Sequence, residues 1–250
     1  YVLFGLGQDA SASAFAAPAR RRTNHFDVTH FGAKADGSSV NTRAIQTAID
    51  ACFNAGGGDV VVPQGRFVTG TVLLKTGVVI HLEDGAELLG SLDPEDYEMV
   101  DPFVDGVNTP RGYTLIGAID ASEIGIQGRG MIDGRGAELQ RRGGNIPAAK
   151  AFLVRCVRCR DITFRDARFR NSSAWTMHFF QCSHVAIKDI SIRSVGLANN
   201  DGIDVDSSRN FRISGCKIES DDDSICLKTT SALPCTNISI ANCILNSKCA

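Results

Sequence analysis

Four stretches of the chain carry the same order of apolar and polar positions without a gap: DITFRDARFRN (161–171), HVAIKDISIRS (184–194), NFRISGCKIES (210–220) and NISIANCILNS (237–247). One apolar column reads Ile162, Val185, Phe211, Ile238, and a second reads Phe164, Ile187, Ile213, Ile240. Two more follow in Ala167, Ile190, Cys216, Cys243 and in Phe169, Ile192, Ile218, Leu245. The column that closes each copy, Asn171, Ser194, Ser220, Ser247, is small and polar. Each copy holds two short period-two strands with a kink between them. Such a unit cannot bury its apolar face alone, whereas stacked copies bury a continuous core.

Copies that recur every 23–27 residues, with strands and no helix, predict an all-β, right-handed parallel β-helix. The Leu-x-x-Leu-x-Leu pattern of leucine-rich repeats is absent. EIGIQGRGMIDG (123–134) resembles the start of an earlier copy. Ala44, Ile45, Ala48, Ile49 and Cys52 recur at helical spacing and predict one short N-terminal helix over 41–55. Ser39 or Asn41 is the expected cap, and Gly56 the stop. The open end of a solenoid exposes unpaired strand edges, which a helix can cover. ELQRRGGNIPAAK (138–150) reads as a loop that walls a cleft.

After each copy the chain enters a third strand. AWTMHFFQ from Ala174, DGIDVDSS from Asp201 and DSICLKTT from Asp223 align, matching Thr176 with Ile203 and Ile225, and His178 with Val205 and Leu227. Asp201 and Asp223 then occupy the same place in consecutive coils, about 4.8 Å apart. Asp222 is one residue away and aimed elsewhere. Stacked like charges repel, and one carboxyl of such a set tends to keep its proton. A purely structural ladder would use Asn, Ser or Thr. The open readings are catalysis, a solvated acidic turn or a calcium site.

Composition narrows the rest. In 250 residues the net charge is −2, which gives no electrostatic basis for a nucleic-acid or membrane partner. There is no run of apolar residues long enough for a transmembrane helix. ASASAFAAPA, within residues 1–25, resembles the end of a secretory signal or a disordered leader, so residues 26–250 are taken as the β-helix domain and the protein as secreted or periplasmic. Of the nine cysteines, Cys156 and Cys159 form a C-x-x-C that reads as core or turn rather than metal or redox chemistry. Arg155, Arg158, Arg160, Arg165, Arg168 and Arg170 crowd one coil and read as a solvated face.

NNDG (199–202) followed by DDDSICLK (221–228) resembles glycoside hydrolase family 28, the polygalacturonase family, whose hallmarks are Asn-Thr-Asp-Gly and Gly-Asp-Asp-Cys. FDVTHFGAKADG, the predicted helix, GGGDVVVPQGRFVTG and NSSAWTMH are similar to that family as well, so the likeness runs from about residue 26 to residue 250. The resemblance implies an inverting hydrolase of pectic polysaccharide, polygalacturonan or rhamnogalacturonan, with no cofactor or metal. It implies Asp222 as general acid, with Asp201 and Asp223 holding the attacking water. An inverting pair of carboxyls is expected about 6.5–9.5 Å apart, and neighbouring charges are expected to raise the acid's pKa.

Asn200, His178 and Lys228 are the candidate substrate-binding residues. Trp175 is a sugar platform or core filling, and Lys228 is placed to pair with Asp206. Asn200 stands where the family has Thr, and Asp221 where it has Gly, so a third carboxylate is expected to crowd the Asp222–Asp223 pair. The family's Gly-His-Gly and Arg-x-Lys motifs are expected beyond Ala250. A monomer acting on a polysaccharide or oligosaccharide is expected. The competing classes are a calcium-dependent β-helix lyase and a non-catalytic carbohydrate-binding β-helix.

Overall fold

The computed structural model of the chain describes residues 24–105 and 108–249. The chain winds into a right-handed parallel β-helix, as the repeats predict. Three sheets run along it, and each full coil gives one strand to each. One coil shows the order: Arg209–Ser214 in the first sheet, Lys217–Ser220 in the second and Ile225–Lys228 in the third. The predicted columns are the observed register. Ile162, Val185, Phe211 and Ile238 are successive partners, as are Phe169, Ile192, Ile218 and Leu245. The first three side chains of each column lie in one continuous core with Phe164 and Phe179, while Ile238 is half-buried and Leu245 exposed.

The bends between strands need backbone that most L-residues avoid. Asp161, His184, Asn210 and Asn237 each take a positive φ near the start of a first-sheet strand, and Asp166, Asp189, Gly215 and Asn242 do so before the second sheet. Asn, Asp and Gly tolerate that left-handed conformation best, and all of these kinks but the one at His184 use one of the three.

The N-terminal helix spans Thr42–Asn54 and buries Ile45, Ala48, Ile49 and Cys52. Neither expected cap acts through its side chain. Asn41 is N-cap by position, but its amide binds Lys34, Ser39 and Val68 of neighbouring backbone, and Ser39 belongs to the strand Asp36–Val40. Of the expected leader, residues 1–23 lie outside the described residues, and His25 already opens the first strand. The expected loop at 138–150 is largely helical, as Gly136–Gly143 and the 3-10 turn Pro147–Lys150.

Two features depart from the repeat. The strand Glu98–Val104 pairs antiparallel with Pro110–Ile119 and folds back over the outer face of the third sheet. Gly117 permits this, since a Cβ there would stand 2.7 Å from Val100 Cγ2 and 2.9 Å from Leu73 Cδ2. The second departure is a one-residue slip in the third sheet. Met177, not Thr176, pairs with Ile203, and Phe179, not His178, pairs with Val205. Because side chains alternate, the slip turns His178 away from the core column, to stand beside Asp204. The alignment of Asp201 with Asp223 is unaffected, because Ile203 pairs with Ile225.

Candidate active site

The strand Ile203–Asp206 and the strand Ile225–Lys228 are neighbours in the third sheet, and the turns that enter them carry the three aspartates. Gly202 N–H donates to Asp223 O at 2.8 Å, and Thr176 N–H donates to Asp201 O at 2.8 Å. The coils approach so closely here that a Cβ at Gly202 would lie 2.3 Å from Ser224 O, which explains a glycine directly after Asp201. The small polar column has a local use. Ser220 and Ser247 both donate to the carbonyl of Asp222, at 2.8 and 2.6 Å. The Asp222 carboxylate in turn accepts the Asp223 N–H at 3.0 Å.

Asp201, Asp222 and Asp223 converge, each offering a carboxylate oxygen within 4.8 Å of the other two. Asp201 is buried and the other two are half-buried. Asp201 Oδ2 meets Lys228 Nζ at 3.5 Å, while its Oδ1 is a buried acceptor without a donor. Burial pushes the Asp201 pKa up, Lys228 pulls it down, and Asp222 adds to the rise. Among the described residues these three carboxylates are close enough to share one cation. Lys228 already supplies positive charge to Asp201 there.

Several expectations are corrected. Asp221 does not crowd the pair: it accepts Gly196 N–H at 2.6 Å and pairs with Lys248 at 2.6 Å, so it ties down the segment leading to Asp201. Asn200 is fully buried and cannot meet a sugar. It accepts from Leu197 N–H and donates to Ser172 O and Ala174 O. His178 is also buried, at 1% exposure, between Arg155 Nη1 on its Nδ1 and Asp206 Oδ2, 3.4 Å from its Nε2. Burial, with Arg155 adding to it, lowers its pKa to about 4, although Asp206 opposes the shift.

Lys228 does not pair with Asp206 but with Asp201 and with Asp204, the latter at 3.0 Å. Its ammonium also lies 4.6 Å from the centre of the Trp175 ring. Trp175 itself is core filling, stacked on Phe152. Arg155 leaves the supposed solvated face and is buried, donating to Val100 O and Asp101 O of the folded-back strand. Cys156 and Cys159 are core cysteines.

Sequence reasoning missed two parts of this region. Asp204 and Asp206 are wholly buried on the outer face of the third sheet. Their signal was present in DGIDVD, where acids alternate with the core residues Ile203 and Val205. The folded-back strand was also missed. Its Phe103 lies 5.5 Å from His178 and 6.2 Å from Trp175 between ring centres, closing the face of the sheet on the N-terminal side of Asp201.

A family model, glycosyl hydrolases family 28, matches residues 52–247. A Vitis vinifera protein named "Probable polygalacturonase" is 30% identical over 220 residues, 83% of this chain and 45% of the relative. The exo-poly-alpha-D-galacturonosidase of Dickeya chrysanthemi is 28% identical over 248 residues, 80% of this chain and 41% of the relative. The chain thus spans less than half the length of these curated relatives. The solved structure of a Yersinia enterocolitica family 28 exopolygalacturonase superposes with a TM-score of 0.77 at 22% identity, covering 88% of this chain and 48% of that one, a likeness of fold.

Proposed function

Since the chain belongs to glycosyl hydrolase family 28, we propose that the protein hydrolyses the glycosidic bonds of pectic polysaccharide, polygalacturonan before rhamnogalacturonan. The observation that carries the reading is the convergence of Asp201, Asp222 and Asp223 on one spot of the third sheet. Asp222 acts as general acid to the departing sugar oxygen. Asp201 and Asp223, stacked in consecutive coils, hold the attacking water as base. A direct nucleophile must reach the anomeric carbon, and Asp201 is too buried for that, with 3% exposure. A water bound to its unclaimed oxygen spans the gap. The attack therefore inverts the anomeric centre.

The folded-back strand gives this site a direction. A polysaccharide lying across the coils would cross the outer face of the third sheet, and Phe103 closes that path one coil before Asp201. The site accordingly takes a chain end, which matches the exo-acting name of the Dickeya relative. Lys228 is the substrate-side cation of the group. We place residues 26–250 in one β-helix domain of a monomeric protein that is secreted or periplasmic, where its polymeric substrate is found. Among the described residues no helix is long and apolar enough to cross a membrane.

The test is product analysis with the full-length protein on polygalacturonate, with chelator present. New reducing ends without an ultraviolet-absorbing unsaturated sugar support hydrolysis. Chelator-sensitive release of unsaturated product indicates the calcium-dependent lyase, and binding without turnover indicates a carbohydrate-binding module.

A further inference from the structure

Asp204 follows Asp201 by three residues and has no exposed surface. Its Oδ1 is 3.0 Å from Lys228 Nζ, but neither of its oxygens has a hydrogen-bond partner among conventional donors. The ammonium contact is a charge contact without hydrogen-bond alignment. The adjacent Asp201 has an orphaned oxygen as well. The Asp201 and Asp204 carboxyls share the one Lys228 ammonium, at 3.5 and 3.0 Å, and each keeps an oxygen without a conventional donor. Two carboxyls can share a hydrogen bond only when one carries a proton.

The surroundings settle which one. Lys228 is the cation in contact with both, and it is divided between them. On the strands packed to either side, the register neighbours of Asp204 are His178 and Cys226. His178 is buried as a neutral ring that receives Arg155 on Nδ1 and turns Nε2 to Asp206, so it brings no charge to Asp204. Cys226 meets Lys228 Nζ at 3.3 Å. Asp206 is satisfied elsewhere, by Thr230 and Ser207. One lysine against two buried carboxyls, with Asp222 close by, leaves an excess of negative charge that a proton relieves.

The geometry points to Asp204 as a buried neutral carboxylic acid that donates its hydrogen bond to Asp201 and holds Asp201 ionised for its work on water. Burial drives the Asp204 pKa well upward, in agreement. The carboxylate oxygens of Asp201 have two lone pairs each, so accepting this proton leaves sites for a water. Asp204 is thus a positioning residue: it does not touch the sugar, and it sets the protonation state of a residue that does. The role of Asp201 rests on the hydrolase reading, whereas the proton on Asp204 does not.

Infrared difference spectroscopy on the chain at neutral pH tests the proton directly. The expected result is a C=O band of a protonated carboxylic acid that disappears in Asp204→Asn and persists in Asp222→Asn. No such band in the parent protein, or a band lost in Asp222→Asn instead, overturns the proposal. Should Asp204→Asn fail to fold, the parent spectrum still decides whether a protonated carboxyl exists. In the full-length enzyme, Asp204→Ala removes a neutral donor, so the acid limb of kcat/KM moves to higher pH and activity falls about tenfold or more below that of Asp204→Asn. If Asp204 were an anion, its removal would relieve repulsion and move the limb to lower pH, which also overturns the proposal.

Discussion

Lys228 Nζ lies 3.5 Å from Oδ2 of Asp201, reaching back one coil to the carboxylate it steadies. Its charge opposes the burial that raises the Asp201 pKa. Replacing Lys228 with Met keeps most of the apolar stem and removes the charge. Asp201 then ionises less readily, so the acid limb of the kcat/KM profile of the full-length enzyme shifts upward. A pH–rate profile with an unmoved or downward-shifted limb contradicts the pairing.

Asp222→Asn fills the same space but cannot give a proton to the leaving sugar. General acid catalysis is worth about 10²–10⁴-fold, and the loss in hydrolysis rate should be at least about 10². The circular dichroism of the variant should match the parent. Retention of more than about a tenth of the rate removes Asp222 from the acid role.

His178 carries a pH-dependent stability. Its folded pKa is about 4 against an ordinary 6.5, so between these values the unfolded chain binds the extra proton. Stability is therefore full above about pH 6.5 and is lost as pH falls towards 4, by on the order of 3 kcal/mol. Asp206, held down to about 2, adds its own loss only below the ordinary carboxylate range. Denaturant unfolding at several pH values checks this. His178→Gln should flatten the slope between pH 6.5 and 4, and an unchanged slope in the variant argues against the buried neutral ring.

Gly117 lets the folded-back strand lie on the third sheet. Gly117→Val forces Val100 and Leu73 apart at a cost of about 1–3 kcal/mol and lifts the strand that carries Phe103. The full-length enzyme should then cut within chains, so that substrate viscosity falls faster per reducing end formed. An unchanged ratio of viscosity loss to reducing ends means that this strand does not close the path.

The β-helix was legible because Ile162, Val185, Phe211 and Ile238 share a column that only stacking can bury. The pairing of Asp201 with Asp223 was legible for the same reason. His178 was misplaced because the turn before Met177 holds one more residue than the alignment allowed, and a slip of one inverts every side chain in a strand. Asn200 looked like a site residue because polarity does not reveal burial, and Asp221 because polarity does not reveal partners. Each serves backbone groups of the turns instead. The strand Glu98–Val104 follows no repeat, so periodicity had nothing to say about it.

The central claim is that Asp201 and Asp223 direct a water, not a carboxylate, at the anomeric carbon. Proton NMR of the first-formed reducing end, recorded with the full-length enzyme before mutarotation, tests it most directly. The expected first product has inverted anomeric configuration. A first product that keeps the substrate's configuration would contradict it and would indicate a covalent intermediate.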